Sequence, residues 1–148
     1  MYTLILQLKP VTLATAQAFL RSHGHLERDN SRWIFAVGLM NLNTLDPHQP
    51  DLVGVVVGMA PQGGAPIDGD TLELLYYCNI ENRNASSILL GAAYRAAEGM
   101  GYERVVVYAD KNDGGFSLLA TAFHKERLVS NGRLWRWVKH INQKKRSG

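Results

Sequence analysis

Side chains that could do chemistry fall in a few places along this 148-residue chain. Glu73 is a carboxylate inside a leucine-rich run, Leu72-Glu73-Leu74-Leu75. A carboxylate there is costly to bury unless it finds a partner. Facing a cleft, it can serve as a general base. Facing the other way, it is a solvent-exposed strand residue, because alternation places Leu72 and Leu74 on the opposite face. His23 and His25 flank Gly24. Either can act as a base near neutral pH, and both can equally stabilise a helix C-terminus as cations. Two histidines without an acidic partner make a weak metal site, so no metal is expected. His48 lies in a proline-flanked loop and reads as solvent-exposed, and His124 and Lys125 read as further helix-terminal cations. Cys78 is the only cysteine. A nucleophilic role would require a depressed pKa and an adjacent base, so it reads first as a small buried hydrophobe. Trp135 and Trp137 share one face of a strand, where they can stack on bases or pack in a core or interface.

A second kind of site comes from backbone. The polar loop Glu81-Asn82-Arg83-Asn84-Ala85-Ser86-Ser87 joins the end of one strand to the start of a helix. Free N–H groups and the positive end of a helix dipole make that junction suited to a phosphate or pyrophosphate. Arg83 adds charge, Ser86 or Ser87 adds a hydroxyl, and small side chains let a ligand approach. The same residues also read as an ordinary capped helix, with Asn84 as the cap and Arg83 in solvent. There is no GxxxxGK[ST] or GxGxxG run, which argues against a nucleoside triphosphate or dinucleotide site.

The elements that must position these residues follow from periodicity. Tyr2 to Leu8 reads as a strand stopped by Lys9-Pro10. A helix capped by Thr12 runs to about Ser22. A polar loop from Glu27 to Arg32 leads to strands at Trp33 to Leu39 and Leu52 to Met59, expected to form a hairpin. Pro61 to Gly69 is a loop rich in proline and glycine. Thr71 to Cys78 is a strand. A helix spans about Ala85 to Met100, with Leu89, Ala93, Ala96, Ala97 and Met100 on one face. The apolar run Val105 to Tyr108 suits a parallel strand buried on both faces. A short helix follows from about Phe116 to Phe123, then a last strand from Arg133 to Val138, whose open edge could pair in a homodimer.

The chain's length matches one domain, read as residues 1–140 with a basic tail at 141–148. An apolar fraction of 46% and a charged fraction of 20% are ordinary for a water-soluble globular protein. No apolar run reaches the length of a membrane span, so no membrane partner is expected. The start lacks a basic n-region, and the single cysteine excludes an internal disulfide. A cytoplasmic setting is the expectation. The net charge of +3 is uneven. Arg133, Arg136, Lys139, Lys144, Lys145 and Arg146 occur with no acidic residue after position 132, so the rest is net acidic. Such an end can hold a polyanion such as DNA, or be a plain solvated terminus.

Several pieces recur in a familiar order. Leu72-Glu73-Leu74 lies on a strand and Arg83-Asn84-Ala85-Ser86 in the loop; Gly91-Ala92-Ala93-Tyr94-Arg95-Ala96-Ala97 and Met100-Gly101-Tyr102 follow on the helix and at its end. Gly115 and Ser117-Leu118 open the next helix, and His23, His25 and Phe35-Ala36-Val37-Gly38 fit upstream. From about Leu8 to Phe123 this pattern resembles the GNAT acyltransferase superfamily, and within it a small phage and prophage branch akin to Mom-type DNA-modification proteins. The resemblance implies an α/β fold: a mixed central sheet, flanked by helices and splayed around an acyl-CoA cleft between the strand ending at Cys78 and the strand at Val105 to Tyr108. It implies acetyl-CoA or a related acyl-CoA as cofactor. The pantetheine arm would pair with Leu75, Tyr76 and Tyr77, and the pyrophosphate would sit on Arg83, Asn84, Ala85, Ser86 and Ser87, with Asn112 also in contact. Acyl transfer would go by direct attack of an amine, with Glu73, His23 or His25 as base. The family's thiolate-protonating tyrosine falls near Leu118, leaving Ser117 as the nearest hydroxyl. Asn84 and Ser86-Ser87 replace expected glycines, and Tyr76 replaces an arginine of the branch, so the acceptor is expected to differ. A DNA base is one acceptor the branch implies. The missing tyrosine also fits a domain that binds without catalysing, such as a phage counter-defence module.

Overall fold

The computed structural model describes residues 4–25, 30–44, 48, 50–112 and 115–141, with only the backbone of Arg83. Seven strands form one sheet in the order β1-β2-β3-β4-β5-β7-β6. They are β1 (Leu6–Val11), β2 (Trp33–Asn41), β3 (Asp51–Met59), β4 (Thr71–Cys78), β5 (Arg104–Asp110), β6 (His124–Val129) and β7 (Leu134–His140). Every neighbouring pair is antiparallel except β4 and β5. That parallel step requires a crossover, which α2 (Arg83–Met100) provides.

Helices cover both faces. α1 (Leu13–Ser22) packs Ala16, Phe19 and Leu20 on Trp33, Ala36, Val55, Val57 and Met59. On the other face, α2 and α3 (Phe116–Ala120) cover Leu72, Leu74, Val105, Val107 and Trp137. The central strands are therefore buried on both sides, which is why β3 and β5 read as nearly unbroken apolar runs. The α2 face is built from Ala85, Leu89, Leu90, Ala93 and Ala97, all fully buried. Met100, expected on that face, is 51% exposed at the last turn. Gly101 then ends the helix at φ 94°, a left-handed conformation that only glycine adopts freely.

Some expectations change. β1 does not stop at Lys9-Pro10 but runs to Val11; it is an edge strand, where a residue without an N–H is tolerated. Tyr2 and Thr3 lie outside the described residues, as do residues 27–29 of the loop expected at Glu27 to Arg32. α3 stops at Ala120, and His124 and Lys125 belong to β6 rather than to a helix end. β7 is not an open edge: it lies between β5 and β6, so an edge pairing through Arg133 to Val138 has no unpaired side to use. Ile141 is buried, and its N–H donates to the Glu103 carbonyl at 2.9 Å.

β7 also absorbs much of the basic segment. Arg136 is buried and its Nε donates to Glu126 Oε1 at 2.7 Å. The Lys139 ammonium lies 3.9 Å over the Tyr94 ring, and burial pushes its pKa down. The tail from 142 onward lies outside the described residues. No described helix is long and apolar enough to cross a membrane.

Candidate functional site

The site begins where two strands part. β4 and β5 pair in parallel from Thr71 with Arg104 to Leu74 with Val107, and no further. Beyond that point Leu75, Tyr76, Tyr77 and Cys78 pair only with β3, while Tyr108, Ala109 and Asp110 pair only with β7. Beyond Leu74 no described strand pairs with β4 on its β5 side. An extended amide-bearing chain can pair there as an added strand would. This is the splay expected between these two strands.

Glu73 stands on β4 just before the split. It is 5% exposed, so the solvent-facing alternative is excluded. Its Oε1 accepts the N–H of Gln62 at 2.8 Å and of Gly63 at 2.9 Å, both from the loop after β3. These two donors offset the cost of burying the carboxylate. Glu73 lines a cavity of about 280 Å³ together with Gly63, Leu75, Tyr108, Ser130 and Leu134. It faces the side of the sheet that carries α1, since Leu72 and Leu74 point to α2.

His23 and His25 do not join this cavity. His23 Nδ1 lies 2.8 Å from the Phe19 carbonyl, which can only accept, so Nδ1 carries the proton there. Nε2 is then the acceptor for the Asn79 amide at 3.0 Å. His23 thus ties the end of α1 to the end of β4 with both nitrogens engaged. The His25 ring stands edge-on to Tyr77, centroids 4.4 Å apart. Tyr77 shares the face of Glu73 but lies four residues on, about 13 Å along a strand.

At the start of α2 the cap is Asn82, not Asn84. The Asn82 Oδ1 accepts the Asn84 N–H at 2.8 Å, and the Asn82 carbonyl accepts the Ala85 N–H at 3.1 Å. Two of the backbone donors expected for a pyrophosphate are therefore engaged, and an anion would exchange with the Asn82 side chain. Ala85 is fully buried, so its small side chain serves packing against the sheet. Ser86 and Ser87 are half-buried. Ser86 Oγ donates to Cys78 Sγ at 3.8 Å, and burial pushes the Cys78 thiol above its ordinary pKa. That thiol is a poor nucleophile at neutral pH. Tyr76 packs towards α2 and Tyr77 towards α1, as opposite faces require.

On α3, Ser117 is half-buried and Leu118 is fully buried in the core. Asn112 is exposed just beyond β5, its N–H donating to Asp110 Oδ1 at 2.8 Å. Gln62, Gly63 and Tyr108 are the site residues that sequence reading passed over. Tyr108 looked like the end of an apolar strand, and nothing local links it to a glycine in a distant loop.

The backbone is similar to several solved structures. Arabidopsis thaliana NAA60, solved with acetyl-CoA and with a bisubstrate analogue, aligns over 93% of this chain at a TM-score of 0.71. The alignments cover 99% and 100% of those chains at 12% and 11% identity. The GNAT domain of S. lividans PAT aligns over 92% of this chain and 90% of its own, at 12% identity and a TM-score of 0.65. An N-acetyltransferase from Staphylococcus aureus aligns over 93% of this chain and 99% of its own, at 11% identity and a TM-score of 0.70. No protein-family model and no curated protein matches the sequence. The fold is that of the GNAT acetyltransferases; at such identities the likeness speaks for the fold alone.

Proposed function

We propose that this chain is an N-acyltransferase that takes its acyl group from acetyl-CoA or a related acyl-CoA and passes it to an amine by direct attack. The observation that carries this reading is the parting of β4 and β5 after Leu74 and Val107, with a buried carboxylate on the wall of the cavity beside it. An acyl-CoA fits what the chain offers. The edge of β4 beyond Leu74, from Leu75 to Tyr77, suits the amides of a pantetheine arm, and the start of α2 suits a pyrophosphate. The structures of NAA60 with acetyl-CoA, which share this fold, add support.

In this reading Glu73 is the general base. An amine entering the cavity presents its proton to the carboxylate, and the two loop N–H groups hold that carboxylate in place for the transfer. A thioester brought to the split meets the backbone of β4 beyond Leu74, whose N–H dipoles suit the charge that develops on its oxygen. Cys78 takes no part, because its thiol stays protonated. His23 has no free nitrogen to act as base. The acceptor is a small amine or an amine on a larger molecule that reaches between the loop at Gln62 and the turn at Ser130.

The test is release of free coenzyme A thiol from acetyl-CoA with a panel of amines, including lysine side chains, peptide N-termini and DNA. Amine-dependent release confirms the reading and identifies the acceptor class. Binding of acetyl-CoA without release for any amine would replace it with a non-catalytic binding module.

A further inference from the structure

The sheet face that carries Glu73 is covered unevenly. α1 packs on β2 and β3, and α2 and α3 lie on the other face. Over β5 and β7 the cover is the β3–β4 loop instead, through Ala65 and Pro66. Two contacts hold that loop down. Gly63 admits the Tyr108 ring, since a Cβ there would lie 2.5 Å from two ring carbons. Further along the loop, Asp68 forms an ion pair with Arg104.

Beneath the loop, the register of β5 and β7 sets three cross-strand rows on this face: Arg104 with His140, Val106 with Val138, and Tyr108 with Arg136. The valine row is short, and an arginine stands in the row on either side of it. A cavity of about 320 Å³ lies there, far more than one water needs. Val106 is its floor. Arg104, His140 and Thr71 share a row at one end, and Arg136 and Glu126 line the other. The His140 ring is stacked on His124, centroids 5.8 Å apart.

Both guanidinium groups have partners and donors to spare. Arg136 is 8% exposed; its Nε donates to Glu126, and it also hydrogen-bonds the Tyr108 hydroxyl. Arg104 pairs with Asp68 and, more loosely, with Glu103 at 3.9 Å. A guanidinium carries more N–H donors than these contacts use, fanned out in one plane. Among the described residues, Glu126 is the only carboxylate on the cavity wall, against two arginines. Like charges that face one cavity repel each other, and an anion between them turns that repulsion into attraction. The planar fork of arginine matches the paired oxygens of a carboxylate or phosphate.

We propose that this trough is a second binding site, for a small oxyanion, either a short dicarboxylate or a phosphate group, held between Arg104 and Arg136. The Thr71 hydroxyl and the His140 ring add polar contacts at the Arg104 end, and the valine floor takes the apolar link of a dicarboxylate. The site does not depend on the acyl-CoA reading. It lies beside the Glu73 cavity, and Arg136 stands between the two, because Tyr108 lines the first and Arg136 the second.

The experiment is calorimetric titration of the full chain, without coenzyme A and at constant ionic strength, with succinate and separately with inorganic phosphate. Wild type should bind at least one; the tighter of the two identifies the ligand as carboxylate or phosphate. Arg104→Met should weaken that binding roughly 10-fold or more. Its side chain is 26% exposed and its pair with Asp68 lies near the surface, so the variant should still fold and melt close to wild type. Asp68→Asn keeps an oxygen for the Arg104 fork but removes the competing charge, so it should bind the anion as tightly as wild type or more so. Failure of wild type to bind either anion overturns the site. Equal binding by wild type and Arg104→Met places the anion elsewhere, as at the start of α2, and overturns it too. Equal losses in Arg104→Met and Asp68→Asn would mean that the ion pair only holds the loop in place, and would overturn it as well.

Discussion

Glu73→Gln keeps an oxygen for the Gln62 and Gly63 N–H groups but removes the basic carboxylate. Its stability should change by no more than about 1 kcal/mol, while acyl transfer falls about 100-fold or more. Glu73→Leu instead takes the acceptor from two part-buried N–H groups and should cost roughly 1 kcal/mol or more in all. Denaturant melts beside thiol-release rates separate the two effects. Cys78 makes a pH prediction. Burial raises its folded-state pKa, so the native state holds the proton more tightly than the unfolded chain does. Its contribution is intact below the ordinary thiol range, roughly pH 8.5, and is lost as pH climbs beyond it. Cys78→Ala should flatten the fall in stability on the alkaline side, and wild-type alkylation should be slow at pH 7. At this scale the sequence was partly legible. A lone cysteine in a strand announces burial by its type, whereas alternation left the carboxylate among leucines open to either face. Tyr108 announced nothing, because its meaning depends on a glycine brought to it by the fold.

The loop between β3 and β4 is the element on which the cavity depends, since it supplies both donors to Glu73 and the notch for Tyr108. Gly63→Ala should cost roughly 1–3 kcal/mol by overpacking against the Tyr108 ring, with activity falling further than stability because both groups move. Pairing Gly63→Ala with Tyr108→Ala should recover part of the lost stability, which a double-mutant cycle reads directly. At the start of α2, Asn82→Ala removes the cap and should cost about 1 kcal/mol in a melt. The same change at Asn84 should cost little, because its side chain is exposed and caps nothing. The element pattern explains which strands could be read beforehand. β3, β4 and β5 are buried on both faces and show as apolar runs. β6, His124–Val129, is exposed along nearly its whole length and carries four charged or titratable residues, His124, Lys125, Glu126 and Arg127. It has no apolar period to reveal it. The placement of β7 between β5 and β6 is a long-range pairing choice, which local pattern does not encode.

At the scale of the whole molecule, the proposed acyl-CoA would bridge features set far apart in the chain: the edge of β4 beyond Leu74, the capped start of α2 and the cavity beside the β3–β4 loop. A ligand that binds only the folded state raises stability by RT ln(1 + [L]/Kd), about 2.7 kcal/mol at a hundredfold excess over Kd. For a domain of this size that is a rise of roughly 5–11 °C in melting temperature. Acetyl-CoA should produce it, and free coenzyme A should produce much of it, because the pantetheine and pyrophosphate contacts are the same. ATP lacks the arm proposed to pair with Leu75 to Tyr77, so its effect should be far smaller. Asn82→Ala provides the internal control. If the pyrophosphate displaces the Asn82 side chain from the Asn84 N–H, the variant loses stability without ligand but shows a larger shift with acetyl-CoA, since nothing competes for that donor. An equal shift in both proteins would move the phosphate away from the first turn of α2. No shift with any coenzyme A compound would leave the parted strands without their ligand and remove the ground for an acyltransferase.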